Sequence, residues 1–509
     1  MLALAGSLPT WELALSPVLA IAVPLIGAFL IALAGKWPNL REATTIVTAL
    51  ALLWVVGNLH NFLEANPSTP GGAETLVEVV PGVPLAFHIE PLGMIYAVIA
   101  SSLWVLNSIY SIGYMRGNNE KHQTRFYVCF ALSLASVMGI AFSANMFTLF
   151  VFYEALSLAT FPLVTHKGTP EALRSGRVYL GILMGTSVCL MLPAMIATWV
   201  YTGTLDFTAG GVFTQPLADG NLSPALFGLI FAMYMYGVGK AALMPAHRWL
   251  PAAMVAPTPV SALLHAVAVV KAGVFSVVKI SVYIIGVDQL RLYQQGGWLI
   301  YVAGGSIVIA SFIALFQDNL KRRLAYSTIS QLSYITLGAA LLFPISVRAA
   351  ALHIAAHAFG KITLFFAAGS IYTAAHKTKV SELDGIGRKM PWTMAAFTIG
   401  TISMIGLPPT AGFISKWYLM HGAWTAESKF AIAVLFTSTL LNAAYFLPIV
   451  YRAFFRKPAH DDHGHHDHGE APLPIVIALT CTAAATVVMF FHPDLFAGYA
   501  QMLAAAMPQ

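Results

Sequence analysis

A chain of 509 residues that is 58% hydrophobic and only 9% charged, with a mean hydropathy of +0.75, is not a string of soluble domains, because those carry roughly 25% charged residues. The pattern belongs to an all-α polytopic membrane protein. A formal charge of +6 does not by itself mark a nucleic-acid partner here, since basic residues collect in the cytoplasmic loops of membrane proteins.

No basic residue precedes Lys36, so the positive n-region of a signal peptide is missing and the first apolar run, 13–34, reads as a retained span. Runs of about 20 apolar residues, each enough to cross a bilayer, then recur at 43–63, 91–114, 125–142, 145–165, 177–202, 223–250, 259–286, 298–316, 324–343, 348–375, 391–424, 430–453 and 473–491. About fourteen spans result, and 391–424 reads as two half-helices around "GLPPTAG". With the N-terminus outside, nineteen Lys and Arg fall on the inner side and only Arg291, Arg348 and Lys429 on the outer. That bias predicts both termini outside, in the cell (inner) membrane.

Five lysines remain inside spans: Lys240, Lys271, Lys279, Lys361 and Lys416, with Glu154 the acid near the middle of one. A charge at that depth costs at least ~2.5–3.5 kcal/mol, so each needs a reason. In the seventh span, "GVGKAALMPAHRWLP" combines Lys240, Pro245 and His247. A proline break frees carbonyls and admits water. Lys240 and Glu154 are expected to form a pair whose separation sets whether the lysine keeps its proton; a static pair that only fixed packing would need no broken helix.

In the eighth span, His265 and Lys271 are six residues apart and are expected about 120° apart around the helix, facing two neighbours. Lys279 is nearer the outer end and is expected to snorkel. In the eleventh span, His353, His357 and Lys361 follow i, i+4, i+8, one stripe about 12 Å long, suited to a proton wire. In the twelfth span, Lys416 follows Pro408 and Pro409, inside the second half-helix, as a terminal proton site with no buried acid beside it.

The seventh and twelfth spans are both broken by proline and stand five spans apart. An odd offset turns the second unit upside down, so two inverted five-helix repeats are expected, with sites near the midplane. The organisation reads as spans one to three over 1–124, a first repeat over 125–286, a second over 298–453, and a His-rich loop and last helix over 454–509.

"GVGKAA" lies inside a span with no strand before it, so it is no dinucleotide loop. The tract "HDDHGHHDHGE", with His460, His463, His465, His466 and His468, reads first as a solvated loop and second as a metal-binding or proton-collecting segment. Cys129, Cys189 and Cys481 are far apart and form no iron–sulfur pattern, so no cofactor is expected and any redox chemistry lies in other subunits.

"FYEALSLATFPLV", "GKAALMPAHRWLPAAMVAPTPVSALLHA", "VKAGVF", "FQDNLKRRLAYSTISQLSYI", "HAFGKITLFFAAGSI" and "GLPPTAGFISKWYLM" resemble the proton-conducting antiporter-like subunits shared by respiratory complex I, membrane-bound hydrogenases and Mrp-type sodium/proton antiporters. The resemblance runs from about the third to the thirteenth span. It implies fourteen helices with inverted five-helix repeats. Glu154 matches the family's glutamate of the fifth helix, Lys240 the paired lysine of the broken seventh, Lys271 the connecting lysine of the eighth and Lys416 the terminal charge of the twelfth. His265, His353, His357 and Lys361 stand where the family has its central hydrophilic axis.

A lysine at 416, where one complex I homologue has glutamate, and only some 18 residues after the last span make the chain most similar to the MrpD component of an Mrp-type antiporter. The resemblance implies a proton-translocating subunit working against sodium or another monovalent cation, partnered by other membrane subunits and by the bilayer, with no nucleic acid. Two other readings stay open: a redox-driven pump subunit of complex I or a membrane-bound hydrogenase, and a membrane partner of an inorganic-carbon uptake system.

Overall fold

The computed structural model describes residues 16–66, 73–457, 469–505 and 507, apart from the side chain of His265. The histidines of the 460–468 tract and the His265 ring therefore lie outside the described residues. Helices dominate, as the composition demands. They are α1 (Pro17–Leu33), α2 (Pro38–Ala65), α3 (Pro91–Gly117), α4 (Gln123–Ala141), α5 (Met146–Val164) and α6 (Pro170–Thr202). Then come α7 (Pro224–Gly237), α8 (Val269–Ile280), α9 (Gly297–Leu315), α10 (Leu320–Ala340) and α11 (Pro344–Ala375). The last are α12 (Pro391–Ile405), α13 (Ala411–Thr425), α14 (Lys429–Phe455), α15 (Leu473–Phe491) and α16 (Asp494–Ala505).

Their starts are written locally. Proline occupies the first turn of α2, α3, α6, α7, α11, α12 and α15, where its missing N–H costs nothing. Ser16, Asn145, Thr169, Ser223, Asn319 and Ser428 cap α1, α5, α6, α7, α10 and α14 with a side-chain oxygen.

Among the described residues ten helices are long and apolar enough to cross a membrane. The other four predicted spans fall on 224–255, 258–285, 320–340 and 391–425. The first is interrupted between α7 and a short helix Trp249–Ala252, and the last between α12 and α13. In 258–285, π-helical turns at Leu263–Val267 and Ser281–Ile285 flank α8. The helix α10 is unbroken but buries Ser327, Thr328, Ser330, Gln331, Ser333 and Thr336, which lower its hydropathy. All four departures concern the spans that carry or face the buried lysines.

The loops sort onto two faces. On one, Arg116 pairs with Glu42 at 2.5 Å, Arg125 donates to the His166 carbonyl at 2.9 Å, and Arg452 meets Asp384 at 3.3 Å. Asp318 accepts from the Ser381 amide at 3.0 Å and its hydroxyl at 2.8 Å. Burial raises the Asp318 carboxyl, but the two Ser381 bonds together with the Lys379 and Arg323 charges outweigh it and hold Asp318 below the usual carboxylate range. This is the basic face.

The other face carries a feature that the apolar periodicity did not announce, an antiparallel hairpin of β1 (Glu74–Val80) and β2 (Val83–Phe87). Its β-branched runs favour strands, and Gly82 supplies the positive φ of the turn. Ser16 donates to Glu74 at 2.6 Å, Asn145 to the Pro84 carbonyl at 2.8 Å, and Thr208 N–H to the Tyr283 carbonyl at 3.1 Å. The residues after α15 form a further helix, α16, packed on α3 and α11, with the Tyr499 phenol against His60. The seventh span starts from the hairpin face at Ser223, and the twelfth from the basic face, where Glu470 accepts the Trp392 and Thr393 N–H groups at 2.7 and 3.2 Å. The two broken helices thus enter in opposite senses.

At the centre stands α11. Its most apolar 18-residue window is 100% buried, against 28% for α6 and 33% for α15. It is ringed by other helices while those two face outward. Its neighbour α8 lies so close to the break in the seventh span that a Cβ on Gly273 would fall 2.2 Å from Ala241 N and 2.3 Å from Lys240 C. Both are backbone atoms and cannot swing aside. Gly273→Ala is therefore expected to destabilise the folded chain by about 1–3 kcal/mol or more, lowering its melting temperature in detergent. Gly181→Ala, which meets nothing within 4 Å, is the control expected to melt with the wild type.

Candidate proton path

The break in the seventh span turns at Gly239–Ala241, and Lys240 lies in it, fully buried. Its Nζ donates to the Tyr153 carbonyl at 2.8 Å and to Ser157 Oγ at 2.7 Å, and sits 3.2 Å from the Tyr153 ring centroid. The Trp249 indole N–H donates to the Gly239 carbonyl at 3.0 Å, tying the far side of the break to this turn. Glu154 is the next residue on α5. Both of its carboxylate oxygens are buried and without a hydrogen-bond partner among the described residues. Lys240 and Glu154 form no ion pair in this arrangement, and the ammonium is held by neutral oxygens of Tyr153 and Ser157. His247 does not share an α-helical face with Lys240, because 238–248 holds one 3-10 turn, Gly239–Ala241, and otherwise no helix. Its ring lies 6.5 Å from that of Tyr326, and its Nδ1 has no partner among the described residues.

In the eighth span the regular spacing between His265 and Lys271 does not survive, since His265 is in the π-helical turn 263–267. Lys271 is fully buried on α8, and its Nζ lies 2.6 Å from His357 Nδ1 on α11. One turn along α11 comes His353, its ring 6.2 Å from that of His357. The expected stripe is present and buried, but its members point to different partners. Lys361 donates to Ser327 Oγ at 2.9 Å, on α10.

His353 has the most fully specified surroundings. Its Nε2 is 2.9 Å from Gln331 Oε1 and its Nδ1 is 2.8 Å from Ser415 Oγ. The Gln331 amide nitrogen faces two acceptors, the Met404 carbonyl and Asn442 Oδ1, each at 3.4 Å. That orients Oε1 toward His353 and requires a proton on Nε2. Ser415 also reaches the Gly412 carbonyl at 3.2 Å. A neutral His353 accepts the Ser415 proton at Nδ1. A protonated one donates from Nδ1, and the hydroxyl turns its proton to Gly412. Both protonation states are satisfied by rotating one O–H bond.

Lys416, on α13, donates to the Met404 and Ile405 carbonyls at 2.7 and 3.0 Å. These are the last carbonyls of α12, left over by the break, at the negative end of that half-helix. A cation without a carboxylate is thereby accommodated. Ser327, Tyr445 and Asn442 complete the polar lining: Tyr445 donates to Ser327 Oγ at 3.0 Å and also contacts Asn442 Oδ1.

One expectation is overturned. Lys279 does not snorkel: it is fully buried and 2.7 Å from Glu90 Oε1. The 203–213 loop packs over the outer end of the eighth span, with Thr208 and Val212 N–H donating to the Tyr283 and Ile284 carbonyls and the Phe207 ring against Lys279. Ser327, Gln331, Ser415, Asn442 and Tyr445 were not singled out by spacing or charge. The available signal was a tenth span laden with hydroxyl and amide groups, and a lone Asn442 in an apolar run.

Gln331→Leu would leave the His353 Nε2–H unpaired, a loss of about 1–3 kcal/mol. It is expected to slow proton passage by about tenfold or more in vesicle assays. Ser415→Ala is expected to do the same, with Ser415→Thr retaining passage because the rotating hydroxyl is kept.

A family model described as NADH:quinone oxidoreductase/Mrp antiporter, membrane part, matches residues 143–442. NADH-quinone oxidoreductase subunit N of Desulforudis audaxviator is 32% identical over 440 residues, covering 86% of this chain and 82% of that protein. The chloroplastic NAD(P)H-quinone oxidoreductase subunit 5 of Chara vulgaris is 31% identical over 370 residues, 70% of this chain but 54% of that protein, so the chain spans about half its length. Among solved structures, a chain of the Mrp complex from Dietzia sp. DQ12-45-1b superposes with a TM-score of 0.84 at 20% identity, over 97% of each chain. A chain of the membrane-bound sulfane sulfur reductase, an archaeal respiratory membrane complex, gives 0.82 at 22% identity, over 96% of this chain and 97% of that one. At these identities the likeness is of fold.

Proposed function

The chain belongs to the NADH:quinone oxidoreductase/Mrp antiporter membrane family, and on that premise we propose that it carries protons along its buried row of bases within a multisubunit membrane complex. The observation that carries this reading is the run from Lys271 through His357 and His353 to Gln331, Ser415 and Lys416. Every member of it is placed against oxygen or nitrogen of another helix. Histidine both accepts and donates, Lys271 and Lys416 terminate the row, and Gln331 fixes the tautomer while Ser415 follows the proton.

Glu154 and Lys240 act at the other end. In the arrangement seen, the carboxylate is separate and the lysine rests on Tyr153 and Ser157. Closing that gap raises the lysine's hold on its proton, and opening it lowers that hold. A cavity of about 660 Å³ on the basic face, lined by Arg248, Arg322, Tyr326, Ser175 and Glu171 among others, borders the second half of the seventh span and gives water a route toward it. His247 lies beside Tyr326, one of the residues that line that cavity. Lys361 joins from the side through Ser327, and His265 belongs to the same region by its place in the chain. By the positive-inside bias the basic face is cytoplasmic and both termini lie on the hairpin side of the cell membrane.

The coupling we propose is exchange of protons against a monovalent cation, sodium foremost, as in the MrpD component of an Mrp-type antiporter. The lysine at 416 supports it. The similarity to an NADH-quinone oxidoreductase subunit favours a second reading, the same path driven by electron transfer in neighbouring subunits.

The test is to purify the complex through a tag on this chain, identify the companions by mass spectrometry, and follow sodium-dependent pH changes in inverted vesicles. Small membrane subunits with a sodium-driven pH change are expected; iron–sulfur partners with no sodium effect would replace the antiporter reading by the redox-driven one. In either complex, Glu154→Ala and Lys240→Ala are expected to abolish proton movement while assembly survives. Transport persisting in both variants would refute the role given to this pair.

A further inference from the structure

Besides the midplane row, the described residues hold a second buried ionisable group that the proposed path does not use: Glu90 with Lys279. Glu90 sits just before α3 with an extended backbone, and its side chain does not cap that helix. It reaches Lys279 near the end of α8 instead, with Nζ and Oε1 2.7 Å apart and the side chains 0% and 9% exposed. Lys279 Nζ also donates to the Ser143 carbonyl at 2.7 Å, lies 3.3 Å from Ser143 Oγ, and sits 4.2 Å from the Phe207 ring centroid.

The pair lies one layer beneath the hairpin face. Phe87, the end of β2, bridges to Ser143, and the His88 N–H donates to the Phe142 carbonyl at 2.7 Å. Lys279 is eight residues beyond Lys271 on one regular helix, so it stands about 12 Å further toward that face. His88 beside Glu90, Asp206 on the loop carrying Phe207, and Tyr283 one turn beyond Lys279 are the other titratable groups around it.

A buried ion pair is poor value as a packing element, because apolar residues of similar volume often hold a fold as well or better. A lysine near a helix C-terminus could also have bonded that helix's own last carbonyls. This one crosses to an acid on a different helix, along the line from the midplane to the surface.

We propose that Glu90 and Lys279 are a proton-exchange site between Lys271 and the hairpin face. A proton arriving from the Lys271 side, about 12 Å away along the helix, is taken up by the Glu90 carboxylate, leaving a neutral acid beside the ammonium and removing their attraction. Loss of that proton to the hairpin side restores the ion pair. One proton enters and one leaves, and no other species is consumed. The proposal rests on the proton-carrying reading above.

The experiment uses the whole complex in vesicles with Glu90→Gln, Lys279→Met and the double variant. A single change strands a buried charge, whereas the double change removes both and leaves none unpaired. The expected result is an assembled double variant whose proton transport is at least tenfold below wild type. Wild-type transport by the double variant would overturn the proposal and leave a packing role. Glu90→Asp and Glu90→Asn, equal in size, give the second comparison: the acid is expected to transport at least tenfold faster than the amide, and equal rates overturn the proposal. Failure of the underlying reading looks different, since wild-type vesicles would then move no protons under either sodium or electron drive.

Discussion

A cation or a free carbonyl inside a low-dielectric protein must find a polar partner, and this constraint organises the whole chain. A helix spends most of its carbonyls on its own backbone, so a buried lysine must find side-chain oxygens and nitrogens, or the few carbonyls left within reach. Where a span is broken, or a π-turn intervenes, backbone and side-chain oxygens become available. Lys416 rests on the two last carbonyls of α12. Lys240 occupies the other break and reaches a carbonyl and a hydroxyl of α5. At Lys416 and Lys240, break and lysine thus come together.

The same constraint explains why α11 is central. Its two histidines and lysine could not face lipid, so other helices enclose it on every side and bring Ser327, Gln331, Lys271 and Ser415 to it. The result is a row of buried groups, most of them held by side chains or carbonyls of other helices. Ser415 serves either protonation state of His353, and Glu154 is close to Lys240 without bonding it.

How much of this could be read in advance differs from residue to residue. The stripe His353, His357, Lys361 followed from spacing alone, because a long uninterrupted helix keeps its 3.6 period. The His265–Lys271 relation did not, because a π-turn intervenes and the period no longer applies. Lys279 defied its position for another reason. Its distance from a span's end was legible, but the loop covering that end and the acid waiting beside it come from sequence positions 203–213 and 90.

The sequence by itself determined the class of protein, the grouping of loops by charge, the two broken spans and which residues were too costly to be there without purpose. Those are properties of composition and of local period, and each residue carries its own share of them. Only the tertiary structure decided partners: that Lys271 meets His357, that Gln331 sets the His353 tautomer, that Lys416 caps α12, and that Glu154 stands apart from Lys240. Partnership depends on which helix faces which, and that is fixed by the packing of the whole bundle around α11.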